Sequence, residues 1–271
     1  MPELPEVETT RRGVEPLVAG RTVAGLVLRV DKLRWPLSPR LEVDLTGQTV
    51  RVVERRAKYL LLRCRSGTLI IHLGMTGHLR VVPATQPPDR HDHIDLVFTD
   101  GSCLRFSDSR RFGAFLWTDG EPLQHPLLAA LGPEPLGEAL RGDYLFRQSR
   151  GRRGAVKSFI MDQRVLVGVG NIYASEALFR AGIHPGRTAG RISAARYGRL
   201  SRAIRQVLEE AIEAGGTTIR DFSGSDGRPG YFSLRLLVYG RAGEPCSTCG
   251  RPVRRQVIGG RSTFWCAACQ R

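Results

Sequence analysis

Four cysteines near the end of the chain limit its possible folds more than any other sequence feature. They form two Cys-x-x-Cys pairs with sixteen residues between them: Cys246, Cys249, Cys266 and Cys269. This spacing is typical of a four-thiolate zinc site, and the residues between the pairs predict a β-hairpin with Gly259 and Gly260 at its tip. Because four thiolates complete a tetrahedral coordination sphere, we expect one structural Zn2+ per chain, with no open position for water.

The charge balance indicates a polyanionic partner. Of the 271 residues, 41 are Lys or Arg and 26 are Asp or Glu, which gives a formal net charge of +15. Arginine, whose planar fork binds two phosphate oxygens at once, recurs in separate clusters, and the predicted hairpin adds a basic and aromatic surface. Nucleic acid is therefore the expected partner, and a merely solubilising surface is the alternative.

Nothing in the sequence predicts a membrane segment or a secretory signal. No apolar run approaches the roughly 20 residues of a membrane helix, and the N-terminus is acidic where a signal peptide is basic. Cys64 and Cys103 each stand alone in an expected strand, which is typical of buried small hydrophobic residues in a reducing compartment. We therefore expect a cytoplasmic protein.

The first half of the chain predicts a β-rich domain preceded by one helix. Pro5, followed by Glu6 and Glu8, marks a helix start, and the helix is expected to run to about Val18. Between residues 21 and 117, short β-branched runs alternate with turn signals, a pattern typical of a β-sandwich or barrel. Examples of the expected strands are residues 49–54, 59–65, 68–73, 94–99 and 114–118.

The second half predicts a helical domain and a small C-terminal module. Helical periodicity extends from residue 155 to about Gly215, and a glycine turn at residues 168–170 precedes a helix start at Asn171. Backbone N–H groups at such a start bind anions, and Asn171 can add a donor to phosphate. The Gly-, Ser- and Asp-rich residues 223–230 predict a mobile loop. The expected organisation is an N-terminal domain over 1–135, a linker over 136–150, a helical domain over 151–237 and the cysteine module over 238–271.

The N-terminal residues Pro2 and Glu3 together indicate covalent chemistry on a sugar. If Met1 is removed, Pro2 presents a secondary α-amine, whose ordinary pKa of about 8 leaves more neutral nucleophile at physiological pH than lysine does. Condensation of this amine with a sugar aldehyde gives an iminium that has no N–H proton to lose and acts as an electron sink. Glu3 is placed to protonate the ring oxygen. Taken alone, Pro2 is more often an ordinary residue after the initiator methionine.

Three segments carry a resemblance to a known family: MPELPEVET at the start, VGVGNIYASEALFRAGIHP in the middle and GGRSTFWCAACQ at the end. They resemble the formamidopyrimidine-DNA glycosylase (Fpg or MutM) family, collinearly over essentially the whole chain. The resemblance implies an α+β multidomain fold: an N-terminal β-sandwich with flanking helices, a helix-two-turn-helix domain and a C-terminal β-hairpin zinc finger. It also implies excision of oxidised purines, chiefly 8-oxoguanine and formamidopyrimidines, from duplex DNA, coupled to strand cleavage by β,δ-elimination.

The resemblance assigns catalytic roles to four residues. Pro2 is the expected Schiff-base nucleophile at the deoxyribose C1′, and Glu3 is the expected proton donor. Lys58 matches the lysine of β-elimination and phosphate contact, although the sequence alone favours a surface lysine at a strand edge. Arg261, in the predicted hairpin, matches the zinc-finger arginine that grips phosphate and assists δ-elimination.

The resemblance also assigns DNA contacts. Met75 resembles the wedge that fills the gap left by the flipped nucleotide, although alone it would more often be core filler. Phe112 resembles the residue that kinks the duplex, and Arg110 the partner of the orphaned cytosine. Further contacts are expected from His72, His91, Arg152, Lys157, Asn171 and Tyr239. Of these, Lys157 matches a residue near the damaged base, and residues 217–231 resemble the loop that covers that base.

Two other interpretations remain open. An endonuclease VIII-type glycosylase for oxidised pyrimidines also begins with Pro-Glu, but Leu4 and the set of Met75, Arg110 and Phe112 favour the purine enzyme. A non-catalytic zinc-finger DNA-binding protein would have no need for an intact Pro-Glu start. The expected partner is damaged double-stranded DNA, bound by a monomer that uses neither a membrane nor a nucleotide cofactor.

Overall fold

The computed structural model describes residues 2–140, 142–215 and 236–271. These residues form two compact units, one containing residues 2–129 and the other containing residues 130–213 and 236–271. No helix among them is long and apolar enough to cross a membrane. The loop expected at 217–231, including its Gly-rich centre at 223–230, lies outside the described residues.

The first unit contains two α-helices and eight strands among its described residues. The helices are α1 (Leu4–Val18) and α2 (Leu41–Leu45). The strands are β1 (Val23–Leu28), β2 (Val52–Arg56), β3 (Tyr59–Arg63), β4 (Thr68–His72), β5 (His78–Pro83), β6 (Asp92–Phe98), β7 (Ser102–Ser107) and β8 (Ala114–Thr118). They form two four-stranded antiparallel sheets, in the orders β1-β6-β7-β5 and β2-β3-β4-β8.

One apolar core joins the two sheets and the first helix. Alternate residues of a strand point to the same face, and on β3 and β6 these are Leu60 with Leu62 and Ile94 with Leu96. All four are fully buried in a single cluster that also contains Val14 of α1. Burial of such side chains removes apolar surface from water, which is the main favourable term in folding. The unit is the expected β-sandwich with flanking helices.

The five expected strands are all present, and α1 ends at Val18 as predicted. The largest shift concerns the strand expected at 49–54, which runs from Val52 to Arg56. Its predicted first residue, Thr49, instead forms a bridge with Thr22 before β1. Cys64 and Cys103 are both buried, as predicted for isolated small hydrophobic residues.

The second unit contains four α-helices and one β-hairpin among its described residues. They are α3 (Gly142–Ser149), α4 (Val156–Ile160), α5 (Asn171–Arg180), α6 (Ala194–Glu213), β9 (Arg254–Ile258) and β10 (Arg261–Trp265). The apolar stripe of α6 is buried at Leu200, Ile204, Val207, Leu208, Ala211 and Ile212. Gly215 follows the end of this helix and has a φ of 79°. Glycine adopts this left-handed conformation without a steric cost, which is why it is common just after a helix.

The segment expected as a linker, residues 136–150, contains α3 and differs from that expectation. Leu145 of α3 is fully buried, and the helix packs against α6. The polar composition that indicated a linker belongs to the exposed face of the helix, where Arg147 pairs with Asp143 at 2.8 Å. α3 is therefore part of the second unit.

The hairpin of β9 and β10 has the predicted two-glycine tip. Gly259 and Gly260 have φ values of 57° and 74°, and Ile258 pairs with Arg261 to close the turn. Two consecutive positive φ angles are typical of the tight turn that matches the twist of antiparallel strands. A Cβ at Gly259 would lie 2.8 Å from the Ser158 hydroxyl, so the tip rests directly on α4.

Candidate active site and nucleic-acid interface

The N-terminal residues are fixed immediately before α1. Pro2 is buried, and Glu3 is only 2% exposed. The Glu3 N–H donates to Glu6 Oε2 at 2.8 Å, and the Glu3 carbonyl accepts from the Val7 N–H at 3.1 Å. The Glu3 side chain in turn accepts from the Glu6 N–H, which completes a capping box and satisfies backbone donors at the start of the helix. The Pro-Glu pair therefore has one defined position on the first unit.

Lys58 lies in the two-residue turn between β2 and β3. It is 3% exposed, in contrast to the surface lysine that the sequence alone favours. The preceding residue, Ala57, has a φ of 54°, and its carbonyl accepts a hydrogen bond from Arg55 at 3.0 Å. The turn therefore directs Lys58 inward, and its charge is close enough to lower the pKa of His72.

His72 is a neutral donor in this environment. Burial, followed by the charges of Lys58 and Arg34, lowers its pKa to about 4. Its Nδ1 accepts a hydrogen bond from the Gly74 N–H at 3.0 Å, so the ring proton is on Nε2. The ring also lies 4.8 Å from that of Tyr59, its cross-strand partner. His72 can therefore donate one Nε2–H bond to phosphate without carrying a charge.

Four of the predicted DNA-contact residues meet in one groove of the first unit. The groove has a volume of about 370 Å³ and is lined by Arg34, His72, Gly74, Met75, Arg110 and Phe112. The Arg110 guanidinium lies 4.7 Å from the centre of the Phe112 ring, and Phe112 is 46% exposed. An exposed aromatic ring beside a methionine and an arginine suits insertion between bases. Met75 therefore does not serve as core filler.

His91 does not line this groove and immediately precedes β6. Its side chain is exposed, and its ring centre lies 6.4 Å from that of His93. The His91 carbonyl accepts a hydrogen bond from the Asp108 N–H at 3.0 Å. Its backbone is thus connected to the loop that carries Arg110.

Lys157 connects α4, α5 and β10 in the second unit. It is 1% exposed, and its Nζ donates to Asn171 Oδ1 at 2.5 Å, Thr263 Oγ1 at 2.8 Å and the Ser262 carbonyl at 3.3 Å. Asn171 Nδ2 donates to the same Ser262 carbonyl at 3.0 Å. An ammonium group has three donors, so each has an oxygen partner within the protein.

Arg261 and Arg152 are both exposed on the second unit. Arg261 follows the glycine tip and, with Ser158 and Met161, lines a groove of about 190 Å³ that also includes Lys157. Arg152 lies before α4, where its carbonyl accepts from the Gly190 N–H at 2.9 Å. Asn171 contacts Lys157, and Lys157 lines the same groove as Arg261, so the fold brings these three predicted residues together.

The four predicted zinc ligands converge. The sulfur atoms of Cys246, Cys249, Cys266 and Cys269 lie within 4.8 Å of one another, and two of the pairs are separated by 4.0 and 3.4 Å. A tetrahedral zinc with bonds of about 2.3 Å separates its sulfur ligands by roughly 3.8 Å. The cluster therefore fits one structural zinc ion, as predicted.

Two buried carboxylates that the sequence did not single out also organise these sites. Glu176 of α5 accepts the N–H groups of Leu237, Val238 and Tyr239 at 2.8, 3.0 and 2.8 Å. It thereby places Tyr239, whose ring lies 5.1 Å from that of Phe264. Asp108, at the end of β7, is fully buried. Glu176 lies inside the central segment that carries the resemblance, and Asp108 lies two residues before Arg110, but no local signal reveals their distant partners.

Known proteins similar to this chain share its three parts. Residues 1–115 match the formamidopyrimidine-DNA glycosylase N-terminal domain, residues 131–223 match the formamidopyrimidine-DNA glycosylase H2TH domain, and residues 243–271 match the zinc finger found in FPG and IleRS. Formamidopyrimidine-DNA glycosylases from Alkalilimnicola ehrlichii and Stutzerimonas stutzeri are 62% and 59% identical to it, each match covering 100% of both chains.

Solved structures agree over the whole length. The crystal structure of MutM (Fpg) from Thermus thermophilus has a TM-score of 0.89 at 44% identity and covers 99% of this chain and 98% of that chain. A complex between a mutant of the Lactococcus lactis Fpg and Fapy-dG-containing DNA has a TM-score of 0.92 at 32% identity and covers 100% of each.

The chain combines a β-sandwich unit that is preceded by Pro2 and Glu3, a helix-two-turn-helix domain and a four-cysteine hairpin. This combination defines a DNA glycosylase with a zinc finger. The chain belongs to the formamidopyrimidine-DNA glycosylase family. Its α+β fold is the one that the resemblance implied, and the endonuclease VIII alternative finds no support among these relatives.

Proposed function

We propose that this chain excises oxidised purines from duplex DNA through the Pro2 amine and then cleaves the resulting abasic site. The observation that carries the proposal is the burial of the Pro2-Glu3 pair at the start of α1, on the same unit as the groove of Met75, Arg110 and Phe112. Relatives solved with Fapy-dG-containing DNA and with abasic-site DNA support the choice of substrate.

The first step replaces the base by the protein amine. A base inside the duplex shields C1′, so the nucleotide must be extruded at a cost of a few kcal/mol. The Pro2 nitrogen then attacks C1′, the glycosidic bond breaks, and the base leaves with a proton. Glu3 protonates the ring oxygen, which opens the sugar and leaves a positively charged iminium.

Strand cleavage follows from the same iminium. Its positive charge acidifies the C2′ proton, and loss of that proton expels the 3′ phosphate in β-elimination. A second elimination expels the 5′ phosphate, and hydrolysis of the iminium returns the free amine. We assign Lys58 to β-elimination and Arg261 to phosphate binding in δ-elimination. The amine of Lys58 can accept and release a proton, which β-elimination requires.

The remaining residues bind and shape the DNA. We assign Met75 to the void, Phe112 to the kink and Arg110 to the orphaned cytosine. Phosphate contacts are assigned to His72, His91, Arg152, Asn171 and Tyr239, and Lys157 supports Asn171 through its hydrogen bond to Oδ1. The zinc ion has no open coordination position and supplies structure only. The enzyme acts as a monomer without a nucleotide cofactor.

Borohydride trapping tests the nucleophile. Duplexes carrying 8-oxoguanine, formamidopyrimidine or thymine glycol are incubated with the enzyme and borohydride, and the adduct is located by peptide mapping. The chain contains only three lysines, Lys32, Lys58 and Lys157, so few amines compete with Pro2. We expect an adduct at residue 2 on the two purine lesions, retained in a Lys58→Met variant. An adduct on Lys58, or preferential trapping on thymine glycol, would contradict the proposal.

A further inference from the structure

The carboxylate of Asp108 connects two loops that are distant in the sequence. Its Oδ1 accepts a hydrogen bond from the Thr76 hydroxyl at 2.6 Å, and its Oδ2 accepts one from the Gly113 N–H at 2.8 Å. The Arg110 N–H donates both to Asp108 Oδ1 at 3.3 Å and to the Thr76 hydroxyl at 3.2 Å. One buried group thus joins the residue after Met75 to the loop that carries Arg110.

The two loops also touch through their backbones. Gly74 has a φ of 64°, and a Cβ at this position would lie 2.5 Å from the Gly113 nitrogen. Arg111 has a φ of 54°, a left-handed conformation that is uncommon for a residue with a side chain. Its N–H donates to the Asp108 carbonyl at 3.2 Å. The loops therefore pack as one body, with Asp108 at their junction.

The sandwich fixes Asp108 from behind. His93 Nε2 lies 2.8 Å from the Asp108 carbonyl, and the Asp108 N–H donates to the His91 carbonyl at 3.0 Å. His93 is the second residue of β6, a central strand of its sheet, and His91 immediately precedes that strand. The backbone of Asp108 is therefore fixed by β6 and the residue before it, while its carboxylate binds both loops.

The residues that would enter the DNA depend on this support. Met75 and Phe112 have apolar side chains, which no hydrogen bond can orient, and Phe112 is 46% exposed. The Arg110 guanidinium stacks on the Phe112 ring, so its direction follows that of the ring. The placement of all three side chains is therefore set by the two backbones that Asp108 joins.

We propose that Asp108, acting through Thr76, is a positioning residue that couples insertion of Met75 to recognition of the opposite base by Arg110. This inference rests on the proposed function, since it assumes that these side chains enter the duplex. The link makes the two loops move together, so the void is filled only when the orphaned base is also contacted. Neither Asp108 nor Thr76 needs to touch DNA for this role.

A Thr76→Val variant removes the hydroxyl and keeps the shape of the side chain. Single-turnover excision of 8-oxoguanine opposite cytosine and opposite adenine is measured, together with cleavage at a preformed abasic site. A lost hydrogen bond to a charged group corresponds to about a tenfold effect or more. We expect excision opposite cytosine to slow about tenfold, the preference for cytosine to fall, and abasic-site cleavage to change less than about twofold.

Three further variants make the test specific. Thr76→Ser restores the hydroxyl and should restore both the rate and the preference. Thr22→Val removes a comparable hydroxyl, which contacts Thr49 at 2.9 Å elsewhere in the unit, and should change neither. In a Met75→Ala background, Thr76→Val should add little to the excision defect, because the wedge that it positions is already absent, but should still lower the preference for cytosine.

The results separate this inference from the proposed function. Unchanged rate and preference in Thr76→Val, or effects that add fully to those of Met75→Ala, would overturn the coupling while leaving the wedge intact. Equal slowing on the lesion and on the abasic site would also overturn it, since a general loss of structure would then explain the defect. If Met75→Ala and Arg110→Ala themselves leave excision and preference unchanged, the assigned DNA roles fail first.

Discussion

Replacing Lys157 with methionine would show how much the second unit depends on one buried ammonium group. The change keeps the length of the side chain and removes three donors at 2.5, 2.8 and 3.3 Å from their oxygen partners. Hydrogen bonds from a charged donor contribute about 1.5–3 kcal/mol each. Asn171 retains its bond to the Ser262 carbonyl, and Thr263 retains its bond to the Arg261 carbonyl. Because Asn171 and Thr263 keep these other bonds, the loss should be smaller than the sum of three bonds. We expect the unfolding free energy of this unit to fall by about 3 kcal/mol, the upper value for one such bond.

Calorimetry of the full zinc-loaded protein measures this loss. A change of about 3 kcal/mol corresponds to a fall of roughly 10 °C in the transition of a unit of this size. Lys32→Met is the matched control, because Lys32 is exposed and its loss should leave the transition unchanged. Release of zinc to a coloured chelator should also accelerate in Lys157→Met, since β10 loses its connection to α4.

The salt dependence of DNA binding decides between support and direct contact. A residue that neutralises a phosphate contributes about −0.9 to the slope of log K against log salt. If Lys157 acts by supporting Asn171 and the hairpin, Lys157→Met measured below its transition keeps the slope of the unaltered protein. An unchanged transition together with a slope reduced by about one unit would refute this reasoning.

Three further outcomes are expected. Arg261→Ala should weaken binding to all sequences and reduce the salt slope by about one unit; an unchanged slope would mean that Arg261 does not touch phosphate. Chelation of zinc, or Cys249→Ser, should abolish DNA binding while the first unit keeps its unfolding transition, and full affinity without metal would contradict this. The pKa of His72 is about 4 when folded against 6.5 unfolded, so the unfolded chain binds more protons between these values. Stability should be complete above pH 6.5 and fall by about 3 kcal/mol toward pH 4, and urea unfolding of His72→Gln should lack this part of the fall.

The features predictable from the sequence are those whose partners are close in the chain. The zinc hairpin follows from two Cys-x-x-Cys pairs and two glycines, and α1 follows from one proline and the acidic residues after it. The apolar stripe of α6 likewise follows from a repeat of three to four residues. In each case the interaction that makes the element is local, so the pattern alone specifies it.

The features that could not be predicted depend on distant contacts. One partner of Asp108 is Thr76, 32 residues earlier, and the partners of Glu176 begin 61 residues later. Lys58 illustrates the same limit, because its turn composition suits a surface lysine, whereas in the fold it is 3% exposed and its charge lowers the pKa of His72, 14 residues later. Residues 136–150 differ from the expected linker for a related reason. The polar face of α3 is visible in the composition, whereas the burial of its other face depends on contact with α6.

Two of the few lysines in this arginine-rich chain occupy buried positions. Of 41 Lys and Arg residues only three are lysines, and two of these, Lys58 and Lys157, are almost fully buried. A guanidinium is planar and cannot be deprotonated in a protein, which suits exposed contacts with phosphate. At residue 157 three oxygens surround one nitrogen, an arrangement that a compact ammonium satisfies and a planar fork does not. At residue 58 the proposed role in β-elimination calls for a group that can release a proton. The contacts of residue 157 therefore favour an amine over a guanidinium, and the role proposed for residue 58 would favour one as well.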